Sequence, residues 1–407
     1  MTRPVSLLPW SLFAALIAAA GLPIYIHAPK FYVDSYGTSL AAMGGVLALL
    51  RLIDVVQDPA LGWLAARTRP DRGAWVLAAT VLMAVAMLGL FAVNPPVAPL
   101  LWFAITLTLL FSTFSFLTIC YYAQGVEVAP RLGPNGHLQL AGWREAGSLI
   151  GICVAAVAPV ALLTLTPMPF TGWAIAFAIY ALVALWAMRG QWQGGGSVAV
   201  AQFRPVLQDG LARRLLLLAL VNSAPVAVTS TLFLFFVESR LQLASHAGGF
   251  LLLFFLSAAA SAPIWSLAAR RWSAKRVLML GMALAILSFG WAAVLGQGQA
   301  TAFAAVSLVS GAALGADMVL LPAIFARRLA RIGCEAAGFG LWSFVSKLSL
   351  AIAAASLLPA LQAVGFRPGV ENTPGALLGL SLLYAALPCG LKLVALALIS
   401  FLSIDED

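Results

Sequence analysis

Apolar residues run in blocks of about 20 residues, the length that crosses a bilayer, with short polar breaks between them. About twelve such blocks are read as helices: 7–27, 40–66, 74–93, 98–124, 141–163, 172–188, 215–237, 247–269, 277–295, 302–326, 337–364 and 377–402. The longest polar break, 189–214, contains Gly194-Gly195-Gly196-Ser197 and lies near the midpoint. The expected organisation is therefore a six-helix half over 1–188, a central cytoplasmic loop over 189–214 and a second six-helix half over 215–407. A weak internal echo supports duplication: Trp63-Leu-Ala-Ala-Arg67 ends the second block and Trp265-Ser-Leu-Ala-Ala-Arg270-Arg271 the eighth. The fold class expected is an all-α membrane protein of twelve transmembrane helices.

The polar positions inside the blocks carry the functional signal. The second block reads Arg51-Leu-Ile-Asp54-Val-Val-Gln57-Asp58-Pro59-Ala-Leu-Gly62. Residues 51, 54 and 58 fall on one helix face. A charge at membrane depth costs about 2.5–3.5 kcal/mol on insertion scales unless paired or wetted, so these groups are candidates for an ion or proton site. One Arg–Asp pair that merely pins helices needs one acid, not two. Counting back from the echoed arginines, Asp54 and Asp58 correspond to Ser257 and Ser261, so the paired acids belong to the first half alone. Ser115 and Thr118 in the fourth block offer hydroxyl oxygens to a small cation, or ordinary interhelical hydrogen bonds. Arg144 and Glu145 open the fifth block. Arg144 suits an anionic group held bidentately, or an acid on another helix. In the second half, Asp317 lies in the tenth block and Lys347 deep in the eleventh, where Asp54 or Asp58 is its expected counter-charge. Lys392, in the last block, is expected to snorkel. Gly44, Gly45 and Gly62 suit close helix approach, and Pro9, Pro23, Pro59, Pro159, Pro263, Pro322 and Pro388 are expected to kink their helices.

Composition agrees with a membrane protein: 62% of residues are hydrophobic and 9% charged, against about 45–50% and 25% in soluble domains. Arg3 followed by an apolar run and Ala18-Ala19-Ala20-Gly21 imitates a signal peptide, but another membrane block follows, so the segment is read as an uncleaved first helix. The net charge of +9 does not point to nucleic acid. With the N-terminus inside, roughly sixteen basic residues fall in cytoplasmic breaks and three (Lys30, Arg240, Arg367) outside, the positive-inside bias. Both termini are expected in the cytoplasm of a bacterial-type inner membrane. The four cysteines show no CxxC spacing, and His27, His137 and His246 are scattered near helix ends, which argues against disulfide or zinc frameworks. No H-E-x-x-H or G-x-S-x-G occurs, so an intramembrane enzyme is not expected. No cofactor and no nucleic-acid partner is expected; the partners are a small-molecule solute and the lipid bilayer, and the protein is read as a monomer.

Two six-helix halves joined by a cytoplasmic loop match the arrangement of major facilitator transporters. Within that fold, Arg51-x-x-Asp54-x-x-x-Asp58-Pro59-x-x-Gly62 resembles the second-helix motif of the glycoside–pentoside–hexuronide:cation symporters, the melibiose permease family. Tyr121-Tyr122-Ala-x-Gly125-x-Glu127, Arg144-Glu145-Ala-Gly-Ser-Leu-Ile-Gly151 and Glu335-x-x-Gly338-x-x-x-x-x-Phe344-x-x-Lys347 are similar to later stretches of that family, in the same order. The resemblance implies cation-coupled solute symport, with Na⁺ or H⁺ as coupling ion. It implies Asp54 and Asp58 as cation carboxylates, with Gln57, Ser115 and Thr118 beside them. Arg51 and Lys347 would balance charge, and Arg144, Tyr122, Tyr25 and Ala18 would face the solute. The family holds sugar with acids on its first and fourth helices; Ala18 and Thr118 stand at those positions here. The first-helix residues Phe13, Leu16, Ile17, Leu22 and Ile24 are expected to give an apolar cavity wall. An amphipathic or anionic solute is therefore expected in place of a neutral sugar. The alternatives are a proton-coupled exporter and a sugar or glycoside symporter.

Overall fold

Helices make up nearly all of the computed structural model, whose described residues are 6–21, 28–29, 31–32, 35–38, 40–162, 165–192, 203–367 and 371–402. In order they are α1 (Leu8–Ala19), α2 (Leu40–Arg67), α3 (Arg72–Phe91), α4 (Pro99–Val128), α5 (Gly136–Leu162), α6 (Pro169–Met188), α7 (Gly210–Phe235), α8 (Ala247–Arg271), α9 (Ala274–Ala293), α10 (Ala300–Ile332), α11 (Glu335–Ala363) and α12 (Pro374–Ser400). Ten described helices, α3 to α12, are long and apolar enough to cross a membrane. The described part of α1 is shorter, at 12 residues, and α2 runs 28 residues through the ionisable stretch.

Several boundaries differ from the sequence expectation for identifiable reasons. α10 does not stop at 326 but continues through Arg327, Arg328 and Arg331. Arginine is a good helix former, and cations suit a helix C-terminus. Pro9 does not kink α1, because it occupies the first turn, where the missing N–H costs nothing. Pro59, Pro159, Pro263 and Pro322 do lie inside helices. Pro23 is outside the described residues. α12 contains a π-helical turn, Leu382–Ala386, immediately before Pro388.

The chain packs as two units. The first comprises Met1–Val206 with Leu329–Phe344, and the second Leu207–Arg328 with Val345–Asp407. In the first, α1 lies against α5 through two glycines. A Cβ at Gly147 would sit 2.2 Å from the carbonyl oxygen of Ser11, and one at Gly151 2.3 Å from that of Ala15. Where lipid removes the hydrophobic drive between helices, such close backbone contact supplies the attraction. Tyr121 Oη donates to the carbonyl of Trp10 at 2.6 Å and Tyr180 Oη to that of Leu12 at 2.8 Å, tying α4 and α6 to α1. Trp102 Nε1 donates to the Gly89 carbonyl at 2.8 Å, joining α4 to α3. Gly62 of α2 crosses Gly340 of α11 so closely that a Cβ on Gly340 would lie 3.0 Å from Gly62 Cα. Gly45 has open space around it and makes no such approach. Phe13, Leu16 and Ile17 are buried in the packed core of this unit, Phe13 against Tyr121 and Trp192, so they do not form the open cavity wall expected of them. Arg72, one of the basic residues counted in the cytoplasmic breaks of the sequence, is sealed at 2% exposure. It donates to Gln124 Oε1 at 2.6 Å and Glu127 Oε1 at 3.1 Å, both on α4.

In the second unit α12 packs on α7 and α9. Asp209 caps α7, accepting from Ala212 N at 2.7 Å, and Arg328 Nε donates to the same carboxylate at 2.9 Å. A π-helical turn, Phe236–Arg240, follows α7, and its Phe236 stacks on Tyr384 of the π turn in α12, with ring centroids 4.1 Å apart.

Candidate functional site

The first unit gathers most of the predicted polar residues. Asp54 is 5% exposed and Asp58 fully buried. One helical turn apart on α2, Gln57 Nε2 donates to Asp54 Oδ1 at 3.3 Å. The α4 hydroxyls meet this face: Ser112 Oγ donates to Gln57 Oε1 at 2.7 Å and Ser115 Oγ to Asp54 Oδ1 at 3.5 Å. Asp58 accepts a hydrogen bond from Ser343, near the start of α11. The result is two sealed carboxylates with an amide and three hydroxyls around them, the hard-oxygen chemistry that Na⁺ or a proton takes. Thr118, expected beside them, turns its hydroxyl proton to the Phe114 carbonyl of its own helix at 2.7 Å. The side chain of Arg51 and all of Tyr25 lie outside the described residues.

A second cluster forms where α4 meets α5. The Arg144 guanidinium lies over the Tyr122 ring, its central carbon 3.9 Å from the ring centroid. Its Nε donates to Glu145 Oε1 at 2.7 Å, and Tyr122 Oη donates to the same carboxylate at 3.2 Å. Arg144 therefore pairs with its chain neighbour, not with an acid on another helix. Its Nη2 is buried and has no hydrogen-bond partner among the described residues. Phe339 packs against Tyr122 with ring centroids 4.8 Å apart. Ala18 is half-buried on α1. Lys347 is buried on the part of α11 that belongs to the second unit.

The sequence marks Ser112 as a polar group of the fourth block without giving it a role, and it does not single out Ser343 or Phe339. Ser343 and Phe339 lie inside the family-like stretch from Glu335 to Lys347, at positions its motif leaves unspecified, so that stretch was their only signal. Sequence reasoning also missed a cluster in the second unit. Lys392 does not snorkel: at 2% exposure its Nζ donates to Asn222 Oδ1 at 2.6 Å and to Asp317 Oδ2. The signal was present, since Asn222 and Asp317 are polar groups inside apolar helices and each needs a partner. Ser257 and Ser261, at the positions that echo Asp54 and Asp58, donate to backbone carbonyls of α10 at 2.6 and 3.2 Å.

Comparison with known proteins agrees with this architecture. A Salmonella typhimurium protein named as a candidate sulfoquinovose importer is 25% identical over 406 residues, covering 91% of this chain and 84% of the relative. A bacterial homologue of the iron transporter ferroportin in its outward-facing state superposes with a TM-score of 0.72 at 13% identity, covering 97% of this chain and 99% of that one. The human organic anion transporter MFSD10 gives 0.67 at 16% identity, covering 98% and 99%. The Escherichia coli fucose:proton symporter gives 0.63 at 13% identity, covering 95% and 98%. At these identities the solved structures share the fold: an all-α membrane protein of twelve helices in two six-helix halves. The family and the structural neighbours are transporters, not enzymes. The family model described as MFS/sugar transport protein matches residues 11–406, in keeping with the melibiose-type resemblance of the α2 motif, and the chain belongs to this family of major facilitator transporters.

Proposed function

We propose that the protein is a cation-coupled symporter, driven by Na⁺ or H⁺, that carries a small organic solute bearing one negative group. It works by alternating access in a bacterial-type inner membrane, as a monomer with both termini cytoplasmic. The observation that carries the solute class is Arg144: its Nε is held by Glu145, Tyr122 lies against the guanidinium, and its buried Nη2 has no acceptor among the described residues. A buried donor without an acceptor is costly, and a sulfonate or carboxylate oxygen of a solute would satisfy it. The relative's named solute, a sulfonated sugar, fits that chemistry. Ala18 and Thr118, lacking the acids that grip sugar hydroxyls, argue against a neutral sugar.

The coupling ion sits with Asp54, Asp58, Gln57 and Ser115, where a cation offsets two carboxylates held out of water. Ser112 holds Gln57 in place, and Ser343 donates a hydrogen bond to Asp58. Uptake by purified protein in proteoliposomes tests the reading. A sulfonated sugar should accumulate under an inward Na⁺ or proton gradient and the neutral parent sugar should not. Equal accumulation of the two, or accumulation indifferent to both gradients, refutes it.

A further inference from the structure

The second unit holds a polar cluster that the proposed cycle does not use. Asn222 on α7, Asp317 on α10 and Lys392 on α12 are 5%, 8% and 2% exposed. The Lys392 ammonium donates to Asn222 Oδ1 at 2.6 Å and to Asp317 Oδ2. Asp317 Oδ1, equally sealed, meets no donor among the described residues. A carboxylate facing a side-chain amide oxygen is a donor set that a bare monovalent cation accepts, since hard cations take oxygen ligands. In the first unit the amide is turned the other way: Gln57 gives its Nε2 to Asp54 and its Oε1 accepts from Ser112. What distinguishes the second is that a covalently attached ammonium stands between the oxygens.

We propose that Asp317 and Asn222 form a monovalent-cation cradle whose resident cation is the Lys392 ammonium, tethered so that it does not exchange with solution. The second unit then keeps a constant charge through the transport cycle. The exchangeable ion belongs to the first unit alone, a corollary that rests on the symport reading above; the cradle itself does not. A pair that merely pins helices behaves differently. Its loss weakens the fold whatever salt is present, whereas an emptied cradle is refilled by a small cation.

The test uses full-length protein in detergent, in an Asp54→Asn/Asp58→Asn background that silences the first-unit site. Thermal unfolding is followed in NaCl and in choline chloride at equal ionic strength. The background should unfold at the same temperature in both. Adding Lys392→Met, which keeps a linear apolar chain but no charge, should make unfolding Na⁺-dependent. Saturating Na⁺ should raise the midpoint by at least about 3 °C over choline, as expected for a ligand that binds only the folded state. Adding Asp317→Asn should erase the difference. If Lys392→Met fails to accumulate, Asn222→Asp decides: it keeps Lys392 and adds a second carboxylate, so the ammonium no longer neutralises the cradle and the same Na⁺ response must appear. No Na⁺ response in the deciding variant, or a response that survives Asp317→Asn, overturns the proposal. Because the background is blind to first-unit coupling, this result is independent of whether the protein is a symporter.

Discussion

Replacing Arg144 by lysine keeps a cation beside Glu145 but removes the guanidinium fork. In the native protein Nε is engaged with Glu145 at 2.7 Å while Nη2 has no partner among the described residues. A lysine ammonium can serve Glu145 and still lie over the Tyr122 ring, so the fold is retained and part of the cation–π attraction persists. What disappears is the second donor edge. A hydrogen bond to a charged acceptor contributes about 1.5–3 kcal/mol. At about 1.4 kcal/mol per decade, an anionic solute should bind about 10- to 150-fold more weakly. A neutral oxygen at the same place gains about 0.5–1.5 kcal/mol, so the uncharged analogue should lose about tenfold at most. Calorimetric titration of wild type and Arg144→Lys with a sulfonated sugar and its neutral parent measures both losses, with the thermal midpoint as control for folding. A loss under about threefold for the anion, or the same loss for both sugars, would show that Nη2 does not face the solute.

Other consequences are equally open to measurement. Asp54→Asn and Asp58→Asn keep side-chain shape and remove charge, so each should abolish concentrative uptake in proteoliposomes while leaving the helical circular-dichroism signal; accumulation by both variants against a gradient removes these acids from the coupling site. Gly151→Leu drives a side chain into the Ala15 carbonyl, 2.3 Å from the position of the first added atom; overpacking of about 1–3 kcal/mol should lower the unfolding midpoint, and an unchanged midpoint would mean that α1 and α5 separate freely. The Arg328 guanidinium holds the Asp209 carboxyl below its ordinary value of 3.8, helped by the cap bond from Ala212. A carboxyl depressed in the folded state stabilises above its unfolded value and loses that contribution as the pH falls through the folded one. Asp209→Asn, which still caps a helix, should therefore lower the midpoint at pH 7 by the equivalent of about 0.5–1 kcal/mol, and the difference from wild type should fade below about pH 4; a constant difference across that range would mean that charge is not involved.

The helices were legible because apolar length is a local property, and the α2 acids because charge within an apolar run is conspicuous. Partners were not legible. Lys392 reads locally as a side chain near a membrane boundary, yet it is held by Asn222 and Asp317, 170 and 75 positions away in sequence. The π turn at Leu382–Ala386 adds to the difficulty. One extra residue in a turn rotates everything beyond it by about 100° relative to an unbroken α-helix, so helical periodicity misplaces the face that Lys392 presents. Arg72 was hidden by the positive-inside pattern, which counts basic residues near helix ends without distinguishing a solvated arginine from one bonded to Gln124 and Glu127. Arg144 was legible as a buried cation. Its use of Glu145 was not, because adjacent residues on a straight helix point in different directions.

The inclusion of Leu329–Phe344 in the first unit has a consequence for how the protein is made. Gly62 and Asp58 emerge early from the ribosome, but Gly340 and Ser343, the groups they meet, are synthesised much later. At about 5–20 residues per second, roughly 7–30 s separates residue 206 from residue 344. Throughout that interval the nascent first unit sits in the bilayer with a bare glycine face and a buried acid lacking its serine, and its assembly is completed only by a segment borrowed from the far half of the chain.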